Sequence, residues 1–154
     1  MSKITPFLWF DKNLKEITDF YVSVFPEAKV ESDGELSDTP SGDVEMATIT
    51  IFGQELRLMT AGPMFKFNES ISFVVSCEDQ KEIDYYWKAL TAGGGQESQC
   101  GWLKDKYGLS WQIVPTALEK LMMKGTPEQR QRVTQAFLKM KKFDIKGLEE
   151  AFGK

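Results

Sequence analysis

The feature that most constrains this 154-residue chain is that much of it is written twice. Placing Phe7 over Phe73, an ungapped offset of 66, sets NLKEITDFYVSV (Asn13 to Val24) over DQKEIDYYWKAL (Asp79 to Leu90). Lys15, Glu16 and Ile17 recur as Lys81, Glu82 and Ile83, and Phe20-Tyr21 as Tyr86-Trp87. The same offset carries Glu31-Ser32 onto Glu97-Ser98. Self-similarity at a fixed spacing marks one supersecondary unit used more than once, and such units gain a core by combining.

Each copy opens with a short β-branched and aromatic run, ITPFLWF (Ile4 to Phe10) and ISFVVSC (Ile71 to Cys77), which predicts a strand. A helix start follows each strand. Asn13 with Glu16, and Asp79 with Glu82, have capping-box spacing. Leu14, Ile17, Tyr21 and Val24 form the predicted buried stripe of the first helix, and Ile83, Tyr86, Trp87 and Leu90 that of the second. Gly93 to Gly95 end the second helix where a left-handed cap is needed. Extended segments complete each copy. AKVESDGELS and VEMATITIFG lead through an FGQE turn into QELRLMTAG, and QESQCGWLKD leads through KYG into LSWQIVP. Aligning Gly53 with Gly108 takes an offset of 55, so the second copy is the shorter.

The predicted organisation is therefore α+β. Residues 4–61 form the first strand–helix–meander module, 62–70 a linker and 71–115 the second module, the pair spanning 1–115. Residues 116–154 are a helical extension of the same domain. Within it, Thr126-Pro127-Glu128-Gln129 is a helix start with a capping residue and proline in the first turn. Val133, Ala136, Phe137 and Met140 follow as its apolar stripe, and Asp144 is placed to cap a last helix containing Leu148, Ala151 and Phe152.

What is missing narrows function more than any motif. The chain has no histidine. That removes the commonest general base, every Ser-His or Cys-His nucleophile pair and every His-containing zinc or iron site. A carboxylate-only site for a hard cation is left open. The acidic run SDGELSDTPSGDVE, with Asp33, Glu35, Asp38, Asp43 and Glu45, reads as a solvated loop between strands and lacks EF-hand spacing. A net charge of −4 gives no sequence-independent attraction to nucleic acid or anionic membrane. No apolar run is long enough to span a bilayer, and the start lacks a signal-peptide layout. Two cysteines are too few for a disulfide scaffold, so a reduced, cytoplasmic protein is expected.

The stretches PFLWFDKNLKEITDFYVSVFPEAK, TAGPMFKFNESISFVVSCEDQKEIDYYWKAL and CGWLKDKYGLSWQIVP, with FLKMKKFDI in the tail, resemble the vicinal oxygen chelate superfamily. This superfamily unites glyoxalases, bleomycin resistance proteins and dioxygenases. Within it the resemblance is to the PhnB-like branch, whose members carry the name 3-demethylubiquinone-9 3-methyltransferase. The resemblance implies paired βαβββ modules forming a cupped mixed sheet, commonly in a homodimer. In metal-using relatives the first and last strands of each module present the ligands. The first-strand ligand, often histidine, lies about seven residues before the helix start; the last-strand ligand is usually glutamate. Here those positions fall on Pro6 and Ser72, and on Arg57 and Gln112. Proline, serine, arginine and a neutral amide make no divalent-metal site, which argues against glyoxalase or extradiol dioxygenase chemistry. The expectation is a protein without metal or other cofactor.

For a small-molecule ligand, the candidates are Arg57, Ser72 and Gln112, with Trp9, Trp102, Trp111 and Tyr107 as apolar walls and Cys100 facing the cup. Each has a plainer alternative. Arg57 can salt-bridge to a neighbouring acid, Gln112 can satisfy strand-edge groups, and the aromatics can pack a core or an interface. Cys100 without a histidine to activate it reads as a passive thiol. The methyltransferase name finds no supporting motif, because the only glycine cluster follows a helix rather than joining a strand to one. Three functions therefore stand: a metal-free small-molecule binder, a transferase as the family name says, and a non-catalytic dimeric interaction protein.

Overall fold

A computed structural model describes residues 2–153, so the ends of the expected ranges 1–115 and 116–154, Met1 and Lys154, lie outside the described residues. The chain divides into two compact units, Met1–Lys66 and Phe67–Lys154.

The first unit runs β1 (Phe7–Phe10), α1 (Leu14–Val24), β2 (Lys29–Thr39), β3 (Gly42–Ile51) and β4 (Gln54–Thr60). Its sheet has the order β1-β4-β3-β2. β1 lies parallel to β4, and the other pairs are antiparallel. Strand alternation assigns the two faces. Leu8, Phe10, Ala47, Ile49, Leu56 and Leu58 are buried on one side, where α1 lays down Leu14, Ile17, Thr18, Tyr21 and Val24. Each large aliphatic or aromatic side chain fully buried here contributes about 1.5–3 kcal/mol, so this interface holds the unit together. The opposite face carries Phe7, Trp9, Arg57, Met59, Thr48 and Met46, partnered across the strands in register.

Asn13 departs from the expected capping box. Its backbone is left-handed (φ 63°), which turns its carboxamide away from the third amide of the helix. Its Nδ2 instead donates to Glu16 at 3.5 Å. The acidic run expected as a loop is also different, for most of it is β2 and the start of β3. Two register shifts, at Ser32/Gly34 and Leu36/Thr39, interrupt this edge strand, whose carboxylates are exposed; Asp33 accepts from Thr48 Oγ1 at 2.7 Å.

The second unit repeats the plan with β5 (Ser72–Cys77), α2 (Gln80–Thr91), β6 (Gln96–Glu97), β7 (Trp102–Lys104) and β8 (Ser110–Pro115), in the sheet order β5-β8-β7-β6. Asp79 caps α2 as expected, accepting from the Glu82 amide at 2.8 Å. Ile83, Tyr86, Trp87 and Leu90 are buried on the face toward the sheet. Gly53 and Gly108, matched at the offset of 55, have φ of 80° and 86° and turn their chains into β4 and toward β8.

The tail belongs to the second unit and forms α3 (Thr116–Lys124), α4 (Pro127–Phe137) and α5 (Ile145–Gly153). The Thr126–Gln129 capping box is complete in both directions. The tail is fastened at a turn, where the amides of Cys100 and Gly101 donate to the carbonyls of Met140 and Lys141 at 2.8 Å each. A Cβ at Gly101 would lie 2.4 Å from the Phe143 ring, so this close approach needs glycine. Gln80 completes the docking, donating to the Phe143 carbonyl and accepting from the Ile145 amide, both at 2.9 Å.

One buried carboxylate organises the β7–β8 hairpin. Asp105 accepts from the amides of Tyr107 and Leu109 at 2.9 and 3.1 Å, and from Trp111 Nε1 at 2.9 Å. Asp105→Ala leaves these buried donors unpaired and is expected to lower the unfolding free energy by about 2–4 kcal/mol, as measured by urea denaturation.

Candidate functional site

The helix side of each sheet is closed core, so the side open to a ligand is the other one. In the second unit the open face is built from alternate residues of three strands. Ser72 pairs in register with Ser110, which faces Lys104; Val74 pairs with Gln112, which faces Trp102. Phe73, Trp111, Ile113 and Leu103 take the side toward α2. Gln112, half-buried, donates from Nε2 to Ser72 Oγ at 2.9 Å, so two of the expected ligand residues are bonded to each other. Trp102 is half-buried beside them.

The other candidates separate. Arg57 and Trp9 share the open face of the first sheet, two positions apart in register. Arg57 is exposed, and no described residue forms an ion pair or hydrogen bond with its guanidinium. Trp9 donates from Nε1 to the Gly62 carbonyl at 2.8 Å and meets Phe65 edge-on with ring centres 5.0 Å apart. Tyr107 sits in the β7–β8 turn rather than on a sheet face, with the Lys106 ammonium 5.4 Å from its ring centre. Cys100 is also off the face. Its thiol lies 3.6 Å from the Phe137 carbonyl, against the tail that the first module lacks. Trp111 is core, its indole spent on Asp105.

The repeat slips by one residue between strand and helix. The helices superpose at 66, with Ile17 over Ile83 and Val24 over Leu90, all buried. The buried strand residues Leu8 and Phe10 answer to Val75 and Cys77, an offset of 67, because β1 reaches α1 through Asp11-Lys12-Asn13 and β5 reaches α2 through Glu78-Asp79. Counting back from the helix start therefore finds Ser72 on the open face, but in the first module its face-matched counterpart is Thr5 rather than Pro6. Pro6 contributes only its carbonyl, which accepts from the Arg57 amide at 2.9 Å. The last-strand offset of 55 needs no change: Phe7 with Arg57 matches Val74 with Gln112.

Two features were not read from the sequence. Ser110 Oγ is fully buried without a hydrogen-bond partner. Lys104 pairs with Glu69 at 2.5 Å, bringing the segment before β5 to the open face. The Lys104 hydrogen bond, followed by a backbone hydrogen bond and the Lys104 charge, holds the Glu69 carboxyl below the usual range. Ser110 follows the turn glycine by two residues, a spacing that carries no signal of burial.

This donor set does not suit a divalent cation. The face offers neutral hydroxyl and amide groups, with an arginine at the matching place in the first sheet, and hard cations take carboxylate-rich oxygen cages. Among the described residues no group of three or more His, Cys, Asp or Glu side chains is placed to hold a metal. Nor do the strand-to-helix links offer a glycine-rich turn for a nucleotide-type cofactor, since both are short and contain acids. No helix is long and apolar enough to cross a membrane among the described residues.

A family model described as 3-demethylubiquinone-9 3-methyltransferase matches residues 2–114. A Bacillus cereus PhnB protein of the same description is 30% identical, with 74% of this chain and 99% of that chain covered and a TM-score of 0.64. A Pseudomonas aeruginosa protein gives 17% identity, coverage of 75% and 98%, and a TM-score of 0.62. A variant of the Listeria monocytogenes fosfomycin resistance protein FosX was solved with Mn(II) and 1S,2S-dihydroxypropylphosphonic acid. It is similar at 17% identity, coverage of 85% and 98%, and a TM-score of 0.53. No curated protein matches the chain.

Two measurements check this site. Glu69, with its midpoint lowered in the folded state, keeps its stabilising contact above the ordinary carboxylate range and loses it as pH falls through the lower midpoint. In an NMR titration, Lys104→Ala is expected to move the Glu69 midpoint upward. Cys77 is the second case: burial first, then Glu82, Asp79 and Glu78, push its thiol up to about 12. It should stay unmodified by iodoacetamide at pH 8 in the folded protein and react once the chain is unfolded in urea.

Proposed function

The chain belongs to the 3-demethylubiquinone-9 3-methyltransferase family, the PhnB-like branch of the vicinal oxygen chelate superfamily, and we propose that it binds a small molecule without a metal on the open faces of its sheets. One observation carries this reading. Ser72 and Gln112, at the strand positions where the family resemblance puts metal ligands, are hydrogen-bonded to each other at 2.9 Å and are neither acidic nor imidazole groups. Such a pair keeps one amide oxygen and hydroxyl and amide protons for a ligand. In the first sheet, Arg57 supplies a cation beside Phe7, Trp9 and Met59, a surface suited to an apolar body with an anionic end.

The transferase reading takes its support from the family description alone. The strand-to-helix links do not fit a nucleotide-type methyl donor, and no methyl-transfer step is assigned to any residue. A homodimer, by contrast, has a specific observation behind it. β1 and β5 are outer strands of their sheets, and the segments that carry them leave Ile4, Phe7, Ile71 and Val74 50–83% exposed. A second copy covering these side chains would remove them from water.

Elemental analysis of the purified protein is expected to find metal well below one equivalent per chain. Calorimetry with S-adenosylmethionine is expected to give no heat of binding. A stoichiometric, tightly held metal would overturn the proposal, and saturable S-adenosylmethionine binding would favour the transferase reading. Sedimentation at micromolar concentration should give twice the chain mass; a monomer there contradicts the dimer.

A further inference from the structure

Ser110 is the one buried side-chain polar atom among the described residues that lacks a hydrogen-bond partner. Its residue is 0% exposed. Native structures rarely leave a buried hydroxyl unpaired, since it has given up water and gained nothing in return. Strand register places it at the centre of a polar row, with Ser72 on one side and Lys104 on the other. Gln112 is two residues on along the same face and is bonded to Ser72.

We propose that Ser110, Ser72 and Gln112 form a polar subsite on the open face of the second sheet for an uncharged ligand group that both donates and accepts hydrogen bonds, such as an amide or an alcohol. This assignment rests on the reading that the face binds a small molecule. Charge balance selects the ligand class. The Lys104 ammonium is 2.5 Å from Glu69, so the cation that faces Ser110 across the strands is neutralised by an acid that its own hydrogen bond keeps ionised. Ser110 keeps a free donor and acceptor, Ser72 keeps its proton and Gln112 keeps its amide oxygen. An anion would leave the amide oxygen facing like charge, and a cation would leave the hydroxyl protons unused. Trp102 and Val74, on the same face beside Gln112, give such a group an apolar body to pack against. Lys104, long and flexible, faces Ser110 directly and is the side chain that a ligand would move aside.

A matched series on one ring tests the assignment. Benzamide, benzoate, benzylamine and toluene are titrated to millimolar concentration into the full chain and its Ser110→Ala variant, and backbone amide NMR shifts are followed. Benzamide is expected to shift the amides of Ser72, Ser110 and Gln112, and to bind about fivefold or more weakly to Ser110→Ala. The variant, having lost only an unpaired hydroxyl, should melt no lower than the parent. Tighter binding of benzoate or benzylamine at those amides overturns the subsite, as does unchanged benzamide binding to the variant. Both results leave small-molecule binding on the face intact, as do shifts confined to the surroundings of Arg57. Silence from all four probes overturns the subsite, and a metal held by Ser72 and Gln112 removes the wider reading with it.

Discussion

A single helix covers only one face of a four-stranded sheet, and the period-two alternation of strands decides which side chains it covers. In each unit the helix lies on the side of Leu8, Phe10, Ile49 and Leu58, or of Val75, Ile113 and Leu103, and these are buried. The remaining face of each sheet is left to residues chosen for something other than that core. Those faces hold Arg57 in the first unit and Ser72, Ser110 and Gln112 in the second. The functional question follows from this asymmetry, because a one-residue shift of a strand would carry its own side chains to the opposite face.

The second sheet keeps its register through polar as well as apolar means. Its β6 and β7 are short, with two and three residues, and give few ladder hydrogen bonds. Asp105 compensates by tying two turn amides and the Trp111 indole to one carboxylate, which fixes where β8 begins. Trp87 Nε1 donates to Glu97 at 2.6 Å and fastens the short β6 to α2. The tail adds Met140 and Lys141 as acceptors at the turn before β7. The hairpin is thus held on several sides, and Gln112 is presented on a rigid strand rather than a loop.

Much of this was legible in the sequence because it depends on spacing. The repeat, the helix stripes, the Thr126 cap and the place of Gln112 on the last strand all follow from residue types at fixed intervals. What the sequence hid depends on local backbone geometry. The left-handed Asn13 makes the first strand-to-helix link one residue longer than the second, and so moved the counterpart of Ser72 from Pro6 to Thr5. Cys100 looked open to the cup, but whether it faces a ligand or the tail is decided by a turn with φ of 56° at that residue. Alternation puts Ser110 on the face of Gln112, but its burial gave no signal, because a serine two residues from a turn glycine is ordinarily exposed. The acidic run looked like a loop because it is charged and has no buried alternation, yet an edge strand exposed along nearly its whole length tolerates carboxylates on both faces.

The central claim is that the open faces hold a small molecule and that the chain's own side chains, not a metal, meet it. A crystal structure of the protein as purified from cells, with anomalous data, tests this most directly. The account predicts non-protein density against Ser72, Ser110 and Gln112 or against Arg57, with no anomalous metal peak at these residues. A metal ion ligated there would contradict it, as would open faces filled entirely by protein side chains.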